Sequence, residues 1–137
     1  MLIPPKNPKL KIAILSYRSA PFGGGQGIYV KDISLALKNL GHSVDVISGE
    51  PYPMLDDGIN LIKLPGMNLF ETFIFKDRLK KFIKSPKTFV NIYEFLSALA
   101  GGFPEMYSFG KRANEFLKDN NNYDVVIDNQ SLSYGML

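Results

Sequence analysis

The stretch Lys11 to Gly49, KIAILSYRSAPFGGGQGIYVKDISLALKNLGHSVDVISG, decides the fold. Ile12, Ala13, Ile14 and Leu15 form a short apolar run, the pattern of a strand buried on both faces. Gly23, Gly24, Gly25 and Gly27 follow at once, and glycine permits positive φ and close backbone approach. Beyond them Ile28, Val30, Ile33, Leu35, Ala36, Leu37 and Leu40 recur at helical spacing between polar residues, and Gly41 suits the position just past a helix end. His42 to Ser48 then supplies a second strand, giving a β-α-β unit with a right-handed crossover and a ligand crevice at the strand C-terminal ends. The first helical turn leaves its N–H groups without intrahelical partners at the positive end of the macrodipole, so phosphate or carboxylate is favoured at the glycine loop. The expected fold is α/β, a Rossmann-like three-layer α/β/α arrangement with a mostly parallel sheet.

Two phosphate motifs can be tested against this loop. A P-loop is excluded because no Gly-Lys-Ser/Thr follows the turn. The dinucleotide pattern G-x-G-x-x-G fails at its third glycine: after Gly23 and Gly25 that position is Ile28, and Gly27 falls one residue early. Glu50 nevertheless lies just beyond the second strand, where a dinucleotide fold places an acid for ribose hydroxyls, which keeps a nicotinamide or flavin redox domain as an alternative.

Further along, Ile59 to Leu64 reads as a third strand ended by Pro65-Gly66. A helical pattern follows in which Phe70, Phe73, Ile74, Leu79, Phe82 and Ile83 make one apolar face, with Lys76, Arg78, Lys80, Lys81, Lys84 and Lys87 around it. This basic segment, around Phe70 to Lys87, has two readings: its apolar face packs on the domain, or it makes peripheral contact with an anionic membrane. Helices from Phe89 to Ala100 and from Pro104 to Lys118 come next, then a fourth strand from Tyr123 to Ile127. Asp128, Asn129 and Gln130 follow that strand, and a parallel sheet brings them to the same edge as the glycine loop, with Tyr17 and Arg18. Carboxylate and amide groups suit a ligand's hydroxyls, which both donate and accept. Asp128, Asn129 and Ser131 equally suit a helix N-cap, and Ser131 to Leu137 resembles the first turns of a helix. Asp128 is the one acid at this edge that suits a base, but no catalytic residue is assigned.

With 137 residues, 45% hydrophobic and 12% aromatic, the chain is one domain at most and has ample material for a core. It lacks cysteine, which excludes disulfides and thiolate metal sites and fits a reducing cytoplasm. The lone His42 reads as a strand-start residue beside a helix end, and no metal site is expected. The amino terminus has no continuous apolar segment of a secretory signal, and the apolar stretch from Phe95 to Phe103 falls well short of the ~20 residues of a transmembrane helix. A net charge of +3 and the absence of a recognisable motif give no indication of nucleic acid. The expected location is cytoplasmic, with the membrane surface as a further site of contact.

Pro21, Gly24-Gly25, Tyr29-Val30 and the strand beginning Gly41-His42 resemble the amino-terminal domain of family 4 glycosyltransferases of the GT-B fold. Gly102-Phe103-Pro104-Glu105, Phe109, Arg112 and the stretch Tyr123 to Gly135 are similar to a subgroup of the same family. The resemblance implies transfer of a sugar from a nucleotide-sugar donor to an acceptor, without a further cofactor. It places donor phosphate and sugar contacts on Gly24 and Gly25, to which the loop adds Gln26 and Gly27, and the parallel-sheet edge offers an acceptor-side wall from Tyr17, Arg18, Asp128, Asn129 and Gln130. It also implies that residues 1–137 are an incomplete acceptor-side domain: a second, donor-binding domain with a glutamate pair and a later histidine-bearing strand would lie beyond Leu137, so the stretch alone is expected not to catalyse. A non-catalytic binding module is the other alternative.

Overall fold

The computed structural model describes residues 8–129. Its elements are β1 (Lys11–Ser16), α1 (Gly25–Asn39), β2 (Ser43–Ser48), β3 (Asn60–Lys63), α2 (Phe75–Lys84), α3 (Phe89–Leu99), α4 (Glu105–Asp119) and β4 (Val125–Asp128). The strands form one sheet in the order β3-β2-β1-β4, and every neighbouring pair is parallel. The expected α/β Rossmann-like fold is therefore present. The third and fourth strands are shorter than the sequence pattern suggests. Tyr123, expected in β4, instead lies before it, donates its hydroxyl to Asp45 Oδ2 at 2.7 Å and receives Lys11 Nζ over its ring. Ser131 to Leu137 and Gln130 lie outside the described residues.

Strand β1 is central, and its alternation sorts the core into two layers. Ile12 and Ile14 join Val44, Val46 and Val30 on the face covered by α1, where Ile33 and Leu37 also pack. Ala13, Leu15 and Ile47 turn the other way, onto Phe109 and Ala113 of α4. The period-2 pleat thus puts a helix on each side of the sheet. Register carries the same order across the edges: Ile14 pairs with Val46 on one side and Ile127 on the other.

The turn into α1 shows where glycine is required. Gly24 precedes the helix at φ 154°, a conformation that L side chains rarely adopt. Gly27 is buried so closely against the preceding loop that a Cβ would stand 2.3 Å from the Ala20 carbonyl oxygen. Gly25 is different, since a Cβ there would meet nothing within 4 Å among the described residues. At the far end Gly41, at φ 95°, donates its N–H to the Lys38 carbonyl, and His42 Nδ1 accepts from Leu10 N–H, a structural role for the one histidine.

The α2–α3 hairpin departs from the expected pattern. Helix α2 begins only at Phe75, so Phe70, Phe73 and Ile74 belong to the preceding segment, and Phe82 turns inward to stack on Phe95 at 4.3 Å between ring centroids. Phe73 and Ile83 are 83% and 65% exposed, so the six apolar residues do not share one buried face. Helix α3 is inverted relative to an ordinary surface helix. It buries Asn91 and Glu94 together with Phe95 and Ala98, while Phe89, Ile92, Tyr93, Leu96 and Leu99 are exposed.

The buried polar groups explain this orientation. Arg112 of α4 donates to Glu94 Oε2 at 2.5 Å and to Asn91 Oδ1 at 2.7 Å, and Glu94 Oε1 accepts from Met67 N–H at 3.3 Å. A carboxylate only 1% exposed is tolerable when paired and hydrogen-bonded in this way. Replacing Arg112 by Ala strands that charge and is expected to cost about 3–5 kcal/mol, whereas Glu94→Leu with Arg112→Met removes both charges and should cost much less than the sum of the single changes. Urea denaturation of the four forms measures this, and additive losses would mean that the pair does not set the helix orientation. In thermal unfolding, Gly27→Ala should lose about 1–3 kcal/mol through overpacking. Gly25→Ala should stay within about 0.5 kcal/mol of the parent.

Candidate functional site

Strands β1, β2 and β4 deliver their C-terminal ends to one edge of the sheet, and the expected site residues within the described range gather there. Leu15 pairs with Asp128, and Asn129 N–H donates to the Leu15 carbonyl at 3.0 Å, so the ends of β1 and β4 stay in register up to the start of the glycine loop. Ser19 N–H donates to the Pro51 carbonyl at 2.9 Å, which ties the β1–α1 loop to the segment after β2. Gly49 packs against the same turn: a Cβ there would lie 2.5 Å from the Tyr17 carbonyl oxygen. Ser16 and Ser19, both buried, share a short hydroxyl–hydroxyl hydrogen bond beneath it.

Above this base, Gly23, Gly24, Gly25 and Gln26 are exposed. The first turn of α1 contains no acidic side chain, and no side chain caps it from Gly24. The electrostatic result is a main-chain donor cluster at the positive end of a 15-residue helix with no protein carboxylate in its first turn to offset it. The Asn129 Nδ2 atom is buried without a hydrogen-bond partner among the described residues.

Tyr17 and Arg18 occupy the same edge but are held from the α4 side. Arg18 Nη1 donates to Glu105 Oε2 at 3.0 Å, Nη2 donates to Glu71 Oε1 at 2.7 Å, and the guanidinium lies over the Phe70 ring at 4.6 Å. Glu105, nearly buried at the first turn of α4, uses its other oxygen to accept from Phe70 N–H at 2.8 Å. Arg18 therefore fastens the segment after β3 to β1 and α4. Tyr17 meets Phe103 edge-on at 6.4 Å, and burial raises its phenol above the ordinary value, opposed by Arg18.

Glu50 sits just past β2, as a ribose-binding acid would, but its carboxylate accepts from Tyr52 at 3.3 Å and lines a small cavity with Glu94, Glu105 and Arg112. Burial, and then the Glu50 charge and hydrogen bond, push the Tyr52 phenol up to about 12. Glu50 thus belongs to the polar layer under α4.

Sequence reading misses Glu94, Glu105 and Asn68, the groups that position Arg112 and Arg18. Glu94 leaves one signal, because it is the lone charge within the apolar run of α3. Glu105 stands in the Gly102-Phe103-Pro104-Glu105 run that carries the family resemblance, but nothing there predicts its pairing with Arg18, since an acid in the first turn of a helix is already accounted for by the macrodipole. An open groove of about 790 Å³ between the α2–α3 link and α4, lined among others by Lys84, Phe89 and Arg112, is also invisible in the sequence.

No family model matches the chain. Over 133 residues it is 42% identical to the MMP alpha-(1->4)-mannosyltransferase of Mycolicibacterium hassiacum, an alignment that takes in 93% of this chain and 31% of that protein. The chain therefore spans about a third of the length of the curated relative it matches.

Proposed function

We propose that this chain is the acceptor-side, amino-terminal portion of a glycosyltransferase of the GT-B, family 4 type, which moves a sugar from a nucleotide-sugar donor to an acceptor. The observation that carries the reading is the 42% identity to a mannosyltransferase across nearly the whole chain. The relative's name makes nucleotide-activated mannose the first donor to test. The loop geometry supports this reading independently. Glycine at 24 and 27 is accounted for by backbone shape and packing, but nothing among the described residues requires it at 25. Open space over exposed main-chain donors at a helix N-terminus suits a diphosphate.

In this reading Gly24, Gly25, Gln26 and Gly27 present N–H groups where negative charge grows as the sugar–phosphate bond breaks. These preorganised dipoles stabilise the leaving diphosphate without transferring a proton. Tyr17, Asp128 and Asn129 supply acceptor-side hydroxyl contacts, and Arg18 holds that wall through Glu105. The missing third glycine of the dinucleotide pattern makes the redox alternative the weaker one, and Glu50 already accepts from Tyr52.

Gly25→Ala separates binding from stability. In the complete gene product, calorimetric titration with a nucleoside-diphosphate mannose should show affinity reduced roughly 10- to 100-fold, the loss of about one charged hydrogen bond, with an unchanged melting temperature. Equal donor affinity in the parent and the variant would remove the loop from the donor site. Failure of every nucleotide sugar to bind the parent would overturn the transferase reading itself.

A further inference from the structure

Helix α3 buries its one charge and exposes most of its large apolar residues. Phe89 is 79% and Leu96 59% exposed, and Ile92, Tyr93 and Leu99 continue the same stripe at helical spacing. The neighbouring α2 lies against it through the Phe82–Phe95 stack and adds exposed Phe75 and Ile83. Scattered exposed apolar residues are ordinary, whereas five large apolar residues exposed at helical spacing on one helix mark a contact surface.

Charge identifies the partner of that surface. Residues 75–99 contain six basic and two acidic residues, a net +4 within a chain of net +3, so the remainder carries −1. One of the two acids, Glu94, is already buried against Arg112. Lys76, Lys80 and Lys84 are exposed along α2 beside the apolar residues. A second copy would bring like charges together if it docked face to face on this hairpin. A bilayer with anionic headgroups instead satisfies both parts of the surface, taking phenylalanine, leucine and isoleucine into the acyl boundary while the lysines meet phosphate and carboxylate. No helix among the described residues is long and apolar enough to cross a membrane, so the contact is interfacial.

We infer that the α2–α3 hairpin is a peripheral docking surface for anionic phospholipid, with α3 supplying the inserted apolar face and α2 the cationic flank. This extends the sequence expectation for the segment around Phe70 to Lys87 in one respect: most of the inserted surface comes from α3.

The test is sedimentation of the complete gene product with neutral phosphatidylcholine vesicles and with vesicles enriched in phosphatidylserine. Binding should require the anionic lipid and weaken with salt. The triple change Lys76→Gln, Lys80→Gln and Lys84→Gln should reduce it on the order of 100-fold, at several-fold per lysine. Phe89→Ser with Leu96→Ser should abolish most of the remaining binding, and these exposed positions leave the circular dichroism spectrum unchanged. The Leu96→Cys thiol should react with a thiol-specific fluorophore in the lipid-free protein, and the attached fluorophore should become quenched by spin-labelled lipid. Equal binding to neutral vesicles, or none to either, overturns the inference. So does a Leu96→Cys thiol shielded without lipid, which would place another part of the polypeptide, a second copy or a protein partner on this face.

Discussion

Strand β1 needs a neighbour on each edge and a helix on each face, and the rest of the described structure is arranged around that demand. Ile12 to Leu15 are at most 3% exposed. A strand so enclosed has all its backbone groups inside the molecule, so it must pair on both sides, and β2 and β4 do this in parallel. Parallel pairing requires crossovers long enough to return the chain to the starting edge. Those crossovers supply α1 and α4, which close the two faces. The ends of three strands then meet at one edge as a geometric result, and the glycine loop opens there because the chain enters it directly from the central strand.

Outside this sheet the structure is held by a different kind of interaction. The segment between β3 and α2 has no regular backbone hydrogen bonding of its own, and side chains replace it. Glu94 accepts from Met67 N–H, Glu105 accepts from Phe70 N–H, and Lys81 donates to the Asn68 carbonyl. Each carboxylate is held in turn by an arginine, Arg112 or Arg18. A small apolar cluster of Met67, Leu69, Phe95 and Ala98 lies among them. This division explains why the sheet core and the hairpin differ in character: one is ordered by burial of apolar area, the other by satisfaction of polar groups that burial would otherwise penalise.

The same division decides how much of the molecule is legible in its sequence. Elements ordered by apolar periodicity are legible: β1, α1, β2 and α4 lie where their patterns put them, because the burial that shapes them leaves a trace at every second or every third and fourth residue. The glycine loop is legible because backbone conformation and close packing restrict residue type directly. The hairpin is legible only as two helices. Which faces they bury depends on ion pairs between residues 18 and 105 and between residues 94 and 112, and pairing over such distances leaves no local pattern. The sequence pattern overextends α2 for that reason, since Phe70, Phe73 and Ile74 continue an apolar spacing although the segment there is committed to Glu105 and Asn68.

Under the proposed reading, a binding edge made of main-chain groups has a consequence for inheritance. No single substitution deletes a peptide N–H except a change to proline, so most missense mutations in the loop leave its donors in place. The vulnerable positions are the glycines whose shape or clearance the turn or its ligand requires: Gly24 through its backbone angle, Gly27 through its contact with the Ala20 carbonyl, and Gly25 through the open space it leaves for the proposed donor. Gln26, exposed and between them, is free to vary without altering the turn. Across diverging copies of this gene the loop should keep its glycine spacing while its side chains drift, a pattern opposite to that of a site built from catalytic side chains.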